Sequence, residues 1–354
     1  MAIATIPQRA MSEQGFAFRN IIINGDMSIA QRGTSATGKT NDGYYTLDRY
    51  QFAITSLGTW TFTQSTDVPS GQGFGYSQKA DCTTADASPS AGDRIFYRQK
   101  FEGQNLQHLK KGTSSAESLT LSFWVKSNKT GTYIVELFDH DNTRHISKSY
   151  TVSSASTWEK KTINIDGDTT GAFTNDNNLS LHVAWWLGAG STYTSGTLQT
   201  TWGTQSNADR AVGQVNLADN TANEWYITGV QLEVGTSASD FEFLPFDVNL
   251  FRCQRYCQKH IDPHLVGVSN GSAPTRTGMF LPVDMRTTPS TSVSGTFGFW
   301  DGGATANYTT VATFFNSANS IQMDWSGATF SSTGKTNIQY LASGSNYILI
   351  DSEL

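Results

Sequence analysis

"GTSATGKT" at residues 33–40 matches the phosphate-loop pattern G-x-x-x-x-G-K-[ST] at every fixed position. Its reading decides between a nucleotide-binding α/β fold and something else. A working loop needs a buried strand leading in and a helix starting at the Lys, so that the helix N-terminus faces the phosphates. Upstream, Ile21, Ile22 and Ile23 suit a buried strand, but Asn24-Gly25-Asp26 is a turn signal well short of Gly33. Downstream, Asn41-Asp42-Gly43 is a second turn where the helix should begin, and Tyr44, Tyr45, Tyr50 and Phe52 favour a strand. "SSTGKT" at 331–336 repeats the spelling with Thr329 in place of the first Gly. The stretch reads as a Gly/Ser/Thr-rich surface loop, and neither nucleotide nor any other cofactor is expected.

Outward from that loop, period-two alternation dominates. In "SLTLSFWVK" (118–126), Leu119, Leu121, Phe123 and Val125 point one way and Ser118, Thr120, Ser122 and Trp124 the other. "SNKTG" then turns the chain into "TYIVELF", a hairpin. "LSLHVAWWL" (179–187) alternates again, and "NEWYITGVQLEV" (223–234) reads as a strand bulged at Gly229. Many strands between turn-rich loops predict an all-β sandwich or barrel. One segment differs: "DVNLFRCQRYCQKH" (247–260) places Phe246, Leu250, Cys253 and Cys257 at helical spacing, with Asp247 as N-cap and Lys259 and His260 at the far end. A second β-rich stretch follows it.

Composition narrows the function. Of 354 residues only 15% are charged, below the ~25% of an average soluble protein, and net charge is −6. The densest basic cluster is "HLKKG" (108–112), too little for a polyanion footprint, so no nucleic acid is expected. No apolar run is long enough for a membrane span, and "MAIATIPQRAMSEQGFAFRN" has no signal-peptide pattern. Cys82, Cys253 and Cys257 make no disulfide framework and read as packed small hydrophobes.

Several spellings of chemistry fail on context. "GVSNG" (267–271) has the nucleophile-elbow form, but Pro274 and Gly278 follow Ser269 where a helix should stand. "DHDNTRH" (139–145) and "DGDTTGAFTNDN" (166–177) approach a calcium loop, with Arg144, Tyr150 and Asn177 at positions that spoil it. No metal and no catalytic residue is assigned. Carboxylates for glycoside hydrolysis need only be close in space, so Glu102, Glu117, Glu136, Asp139 and Glu233 remain open. Trp185 and Trp186 cannot both face one core from a strand. Trp186, Tyr193 and Trp202, amid "GAGSTYTSGT", therefore pack under loops, meet a neighbouring subunit or offer stacking surfaces for sugar.

"NIIINGDMSIAQRGTS", "YYTLDRYQF", "RQKFEGQNLQHLKKGT", "LTLSFWVKSNKTGTY", "TWEKKTINIDGDTTG", "AVGQVNLADNTANEWYITGVQLEVG" and "FRCQRYCQKH", in this order, resemble tailed-bacteriophage virion proteins of the fibre and receptor-binding type. The resemblance spans roughly residues 19–260. The order also looks like carbohydrate-binding modules of jelly-roll fold. Such modules often hold a calcium through an acidic residue in the opening and an acidic pair near the end; here Ser28 and Thr228-Gly229 stand there. The resemblance implies an N-terminal arm (1–18), a jelly-roll sandwich (19–246), a connecting helix (247–260) and a smaller C-terminal β domain (261–354). It implies a non-enzymatic virion appendage, assembled in the host bacterial cytoplasm and trimeric. Its partners would be other virion proteins, through Ile3, Ile6, Phe16 and Phe18, and a host cell-surface glycan. With the arm anchored, the C-terminal domain is distal. "GFWDGGATANY", carrying Phe299, Trp300 and Tyr308, is then the favoured contact, and the Trp186 cluster is favoured for burial. A glycan depolymerase and a purely structural decoration protein are the alternatives.

Overall fold

The computed structural model describes residues 18–270, 273–300, 305–326 and 333–354. Twelve strands come first: β1 (Ser35–Lys39), β2 (Tyr50–Thr55), β3 (Thr59–Ser65), β4 (Ser77–Thr84), β5 (Arg94–Glu102), β6 (Leu119–Ser127), β7 (Gly131–Asp139), β8 (Arg144–Val152), β9 (Glu159–Ile165), β10 (Leu179–Ala189), β11 (Gly203–Thr204) and β12 (Glu224–Val234). They form two six-stranded sheets, ordered β1-β3-β4-β12-β6-β9 and β11-β8-β7-β10-β5-β2. The fold is all-β, a jelly-roll sandwich with its core between the two sheets. Phe123 of one sheet meets Trp185 of the other edge-on at 5.7 Å, and Trp225 meets Tyr97 at 5.9 Å. Edge-to-face rings add to the area they bury.

The opening motif folds as an edge strand. Ser35–Lys39 pairs antiparallel with β3, and the Lys39 ammonium lies over the Tyr45 ring at 4.9 Å. The expected surface loop is thus a short strand, and a bridge joins Gly43 to Phe52 where a phosphate loop would need a helix. Ile21–Ile23 differ as well: Ile22 and Ile23 are buried but make no ladder. Side chains take the ladder's place, since Ile22 N–H donates to Asn20 Oδ1 (3.0 Å) and Ile23 N–H to Gln99 Oε1 (2.8 Å). The bulge expected at Gly229 is present: its φ is +62° and the β12–β6 register slips there.

Helix α1 spans Phe246–Gln254, so it stops six residues short of the expected end at 260. The chain switches to strand β13 (Cys257–Ile261), which pairs with β20 (Thr333–Asp351) from Cys257↔Asp351 to Ile261↔Tyr347. Pairing across the fold overrode the helical spacing, and Cys253 and Cys257 lie on different elements, both buried. Between β13 and β20 run β14 (Val266–Asn270), β15 (Ala273–Phe280), β16 (Ser290–Trp300), β17 (Thr305–Tyr308), β18 (Thr310–Asn316) and β19 (Ser320–Ser326). These make one sheet, β17-β16-β20-β14-β15-β19-β18, with β13 on β20. It curls: Phe297 and Phe299 of β16 pack on Trp325 of β19 at 4.7 and 5.4 Å, though three strands separate them.

Charges clip this sheet to the sandwich. Arg255 holds Glu102 through two bonds of 2.8 and 2.7 Å. Arg32 reaches Asp351 at 2.6 Å, and Glu353 pairs with both Arg32 and the buried Arg49. Arg286 donates to Ser352 O at 2.8 Å and to Asn177 O at 3.0 Å.

A candidate contact surface on the C-terminal sheet

The two expected aromatic sets have opposite fates. Trp186 is fully buried, on the outer face of its sheet but roofed by the segment after β10, whose Tyr193 ring lies 5.3 Å away. Its indole N–H donates to Glu136 Oε2 at 3.2 Å, and Arg210 grips the same carboxylate at 2.6 and 2.8 Å. Tyr193 is buried and its hydroxyl accepts from Arg94. Trp202 is partly covered and donates to Asp166 O at 2.8 Å. No stacking platform survives there. Trp185 faces the main core and Trp186 a second, smaller one, which is how both are buried.

In the C-terminal set, Phe299 and Tyr308 point into the curl of the sheet and are buried, so neither can meet a receptor. The Tyr308 hydroxyl bonds Thr275 Oγ1 at 2.9 Å. Trp300, one residue on, faces the other way and is 47% exposed. Of the expected arm, Ile3, Ile6 and Phe16 lie outside the described residues; Phe18 is exposed and its N–H donates to Glu242 at 2.7 Å.

Strand register shows what shares the face of Trp300. Trp300 pairs with Ile338, Ile338 with Val266, Val266 with Gly278, Gly278 with Gln322 and Gln322 with Phe315. Residues opposite one another in a sheet lie on one face. One row therefore crosses six strands from Trp300 to Phe315. Beside it lies Val268–Arg276–Asp324, where Arg276 and Asp324 form two bonds of 2.7 Å, and beyond it Phe280, 88% exposed. Gly278 has no side chain, so the row dips into an open trough of about 910 Å³ with Phe280 and Phe315 on its rim. β16 runs from Ser290, paired with Asp351 at the clip, to Trp300 at its other end. Ten residues of strand place that ring about 30 Å from the clip.

Only Trp300 of this surface was expected. "HLVGVS" and "RTGMFLPVDMR" do carry its parity: Val266 and Val268 on one side, Gly278 and Arg276 in register with them, and Phe280 two residues on from Gly278. Both faces of those strands are partly apolar, so alternation gives no sign of which is outward.

The five open carboxylates are each held. Glu102 is bound by Arg255 and Tyr256, Glu117 by Lys110, Glu136 by Arg210, and Asp139 by Lys111. Glu233 accepts from Ser239 and lies 3.8 Å from Arg19. Burial pushes the Glu136 carboxyl up, but Arg210 and His145 outweigh it and the net direction is down; Glu102 behaves alike beside Arg255 and Tyr256. A glycosidic general acid needs the reverse shift. The calcium-like loops are filled from within. The Lys111 ammonium meets Asp139 at 2.5 Å, Asp168 at 3.0 Å, and the carbonyls of Thr170 and Gly171 at 2.9 and 2.7 Å. Among the described residues, no group of three or more His, Cys, Asp or Glu is arranged to hold a metal ion, and no helix is long and apolar enough to cross a membrane.

No protein-family model matches the chain, and no curated protein does. Solved structures give distant likenesses. The enzymatically active domain of tailspike protein 4 of bacteriophage CBA120 matches at 14% identity and TM-score 0.33, over 61% of this chain and 22% of that one. A family 11 carbohydrate-binding module of a Clostridium thermocellum cellulosomal cellulase matches at 13% and 0.27, over 57% and 98%. A xylan-binding domain from Paenibacillus barcinonensis matches at 9% and 0.27, over 60% and 100%. Likenesses of this size assign neither ligand nor activity to this chain.

Proposed function

We propose that the chain is a non-enzymatic bacteriophage virion appendage, a fibre or spike on tail or head, that attaches the particle to the host surface. The observation that carries this is the outward row that starts at Trp300, at the end of β16 far from the clip to the sandwich. Exposed rings on the outside of the curled sheet offer shallow stacking contacts suited to surface glycan. Each contact is worth ~1 kcal/mol, so single sites bind weakly, and a homotrimer would gain by avidity. The ordered resemblance over residues 19–260 supports the virion setting, and residues 1–18 are the proposed anchor to other virion proteins. The saturated carboxylates speak against the depolymerase alternative.

The test compares particles carrying Trp300→Ala with particles carrying Trp186→Ala, each variant first checked for folding. Adsorption to host cells should drop with Trp300→Ala while host polysaccharide gains no reducing ends. Release of reducing ends by the purified protein would establish the enzyme instead. Unchanged adsorption by the Trp300→Ala particle would leave a structural decoration role. A monomer mass by light scattering would remove the trimer.

A further inference from the structure

Beside the clip, helix α1 and the segment after β5 enclose a groove of about 520 Å³. Its walls are apolar, including Ile21, Phe101, Val248 and Val283. Phe251 stands exposed on its rim, and Phe246 and Phe18 are exposed as well. A short surface helix ordinarily turns polar residues outward. Here two of its three rings and aliphatics of largest size, Phe246 and Phe251, face solvent, the mark of a surface made to be covered.

The floor of the groove is cationic and under-satisfied. Arg49 lines it and is 1% exposed. Its two terminal nitrogens are used by Glu353 and by Lys100 O, but its Nε–H has no partner. A buried donor left without a partner is costly. Arg252 makes one long contact, 3.4 Å to Asn20 O, and no carboxylate among the described residues lies within ion-pair distance of it. The nearby acids are taken: Glu242 accepts from the N–H groups of Phe18 and Asn20, and Glu102 from Arg255 and Tyr256. Burial pulls the Arg252 guanidinium down, and Cys253 and Glu242 do not restore it.

We infer that this groove docks an apolar peptide segment bearing a carboxylate, supplied by a partner protein, with the acid on Arg252 and the flanking side chains against Phe251 and Phe18. The complement of uncommitted cationic donors between apolar walls is an acid between apolar residues. Residues 1–17 hold one carboxylate, Glu13, matched within the same segment by Arg9, so they bring no net negative charge.

The full chain is titrated calorimetrically with the blocked peptide acetyl-Phe-Leu-Glu-Leu-Phe-amide and with its Gln counterpart. The acidic peptide should bind about tenfold more tightly, the worth of one charged hydrogen bond. Arg252→Gln should erase the preference, Arg252→Lys should keep most of it, and Phe251→Ser should weaken both peptides. Equal affinities in the parent chain, or a preference that survives Arg252→Gln, would overturn the inference. A chain lacking residues 1–17 that binds the acidic peptide tenfold better than the full chain would overturn the partner, because the groove would then be occupied by its own segment.

Discussion

The sandwich and the C-terminal sheet handle the same residue types in opposite ways. In the sandwich the sheet that contains β10 is covered on both sides: the main core fills the inside, and the Trp186 cluster lies beneath its own roof. Its charges are buried in matched sets, such as Glu136 with Arg210. The C-terminal sheet has one core, inside its curl, and leaves Val266, Val268, Phe280, Phe315 and Trp300 in the open. A tryptophan in the first region is a structural member, and a tryptophan at the rim of the second is a spare ring. Where apolar side chains stay uncovered in an otherwise paired molecule, contact with something else is the physical reason to keep them.

One substitution made in both regions gives the sharpest contrast. Trp186→Ala should cost about 3–5 kcal/mol, the usual range for emptying a buried indole site, and lower the melting temperature accordingly. Trp300→Ala should leave stability within about 0.5 kcal/mol, as surface changes do. Equal costs would erase the distinction between roofed and open faces.

The clip can be broken next. Glu353→Ala leaves the Arg32 and Arg49 guanidiniums without their shared carboxylate, and removing one partner of a buried pair costs about 3 kcal/mol. Hydrogen exchange should then quicken in β13 and β20 before it does in β10. Uniform quickening would mean that the two regions unfold as one.

Proton linkage separates a third pair of sites. Burial raises the Asp48 carboxyl to about 6, against Arg32 and Gln31. A carboxyl whose folded pKa exceeds its unfolded one stabilises while protonated, fully below the unfolded value and no longer once pH has risen through about 6. Asp48→Asn should therefore gain on the parent chain between about pH 4 and about pH 7. Glu136 is shifted down, so its contribution is present above the ordinary carboxylate range and is lost as pH falls. Glu136→Gln should do worst at neutral pH. The smallest effect belongs to Phe280→Ser: stability unchanged within about 0.5 kcal/mol, with reduced self-association in light scattering.

Alternation alone sufficed for the all-β architecture, because a strand with one buried face writes its burial into every second residue, as "SLTLSFWVK" does. It also sufficed to reject the phosphate loop, since the turns at Asn24 and Asn41 are local facts. It failed where partners are distant. Cys257 looked helical by spacing and is a strand residue because Asp351 lies opposite it. Trp186 could be exposed or roofed on sequence grounds, and the roof is contributed by Tyr193 and Arg210. The outward face of the C-terminal sheet was hidden for the same reason. Val266 and Phe315 become neighbours of one trough only through Gly278 and Gln322, on two intervening strands.

Lys111 carries a consequence of its own. Its ammonium stands among two carboxylates and two carbonyls, a set of oxygens that a free divalent ion could also have served. A dissolved ion comes and goes with the medium, and a loop that depends on one loosens when the medium is depleted. A tethered cation is present in every copy at fixed stoichiometry, whatever the surroundings hold. The turns at 139–143 and 166–171 should then keep their shape through dialysis against a chelator and through changes in water hardness. The proposed virion, waiting in open water for its host, would meet such changes routinely.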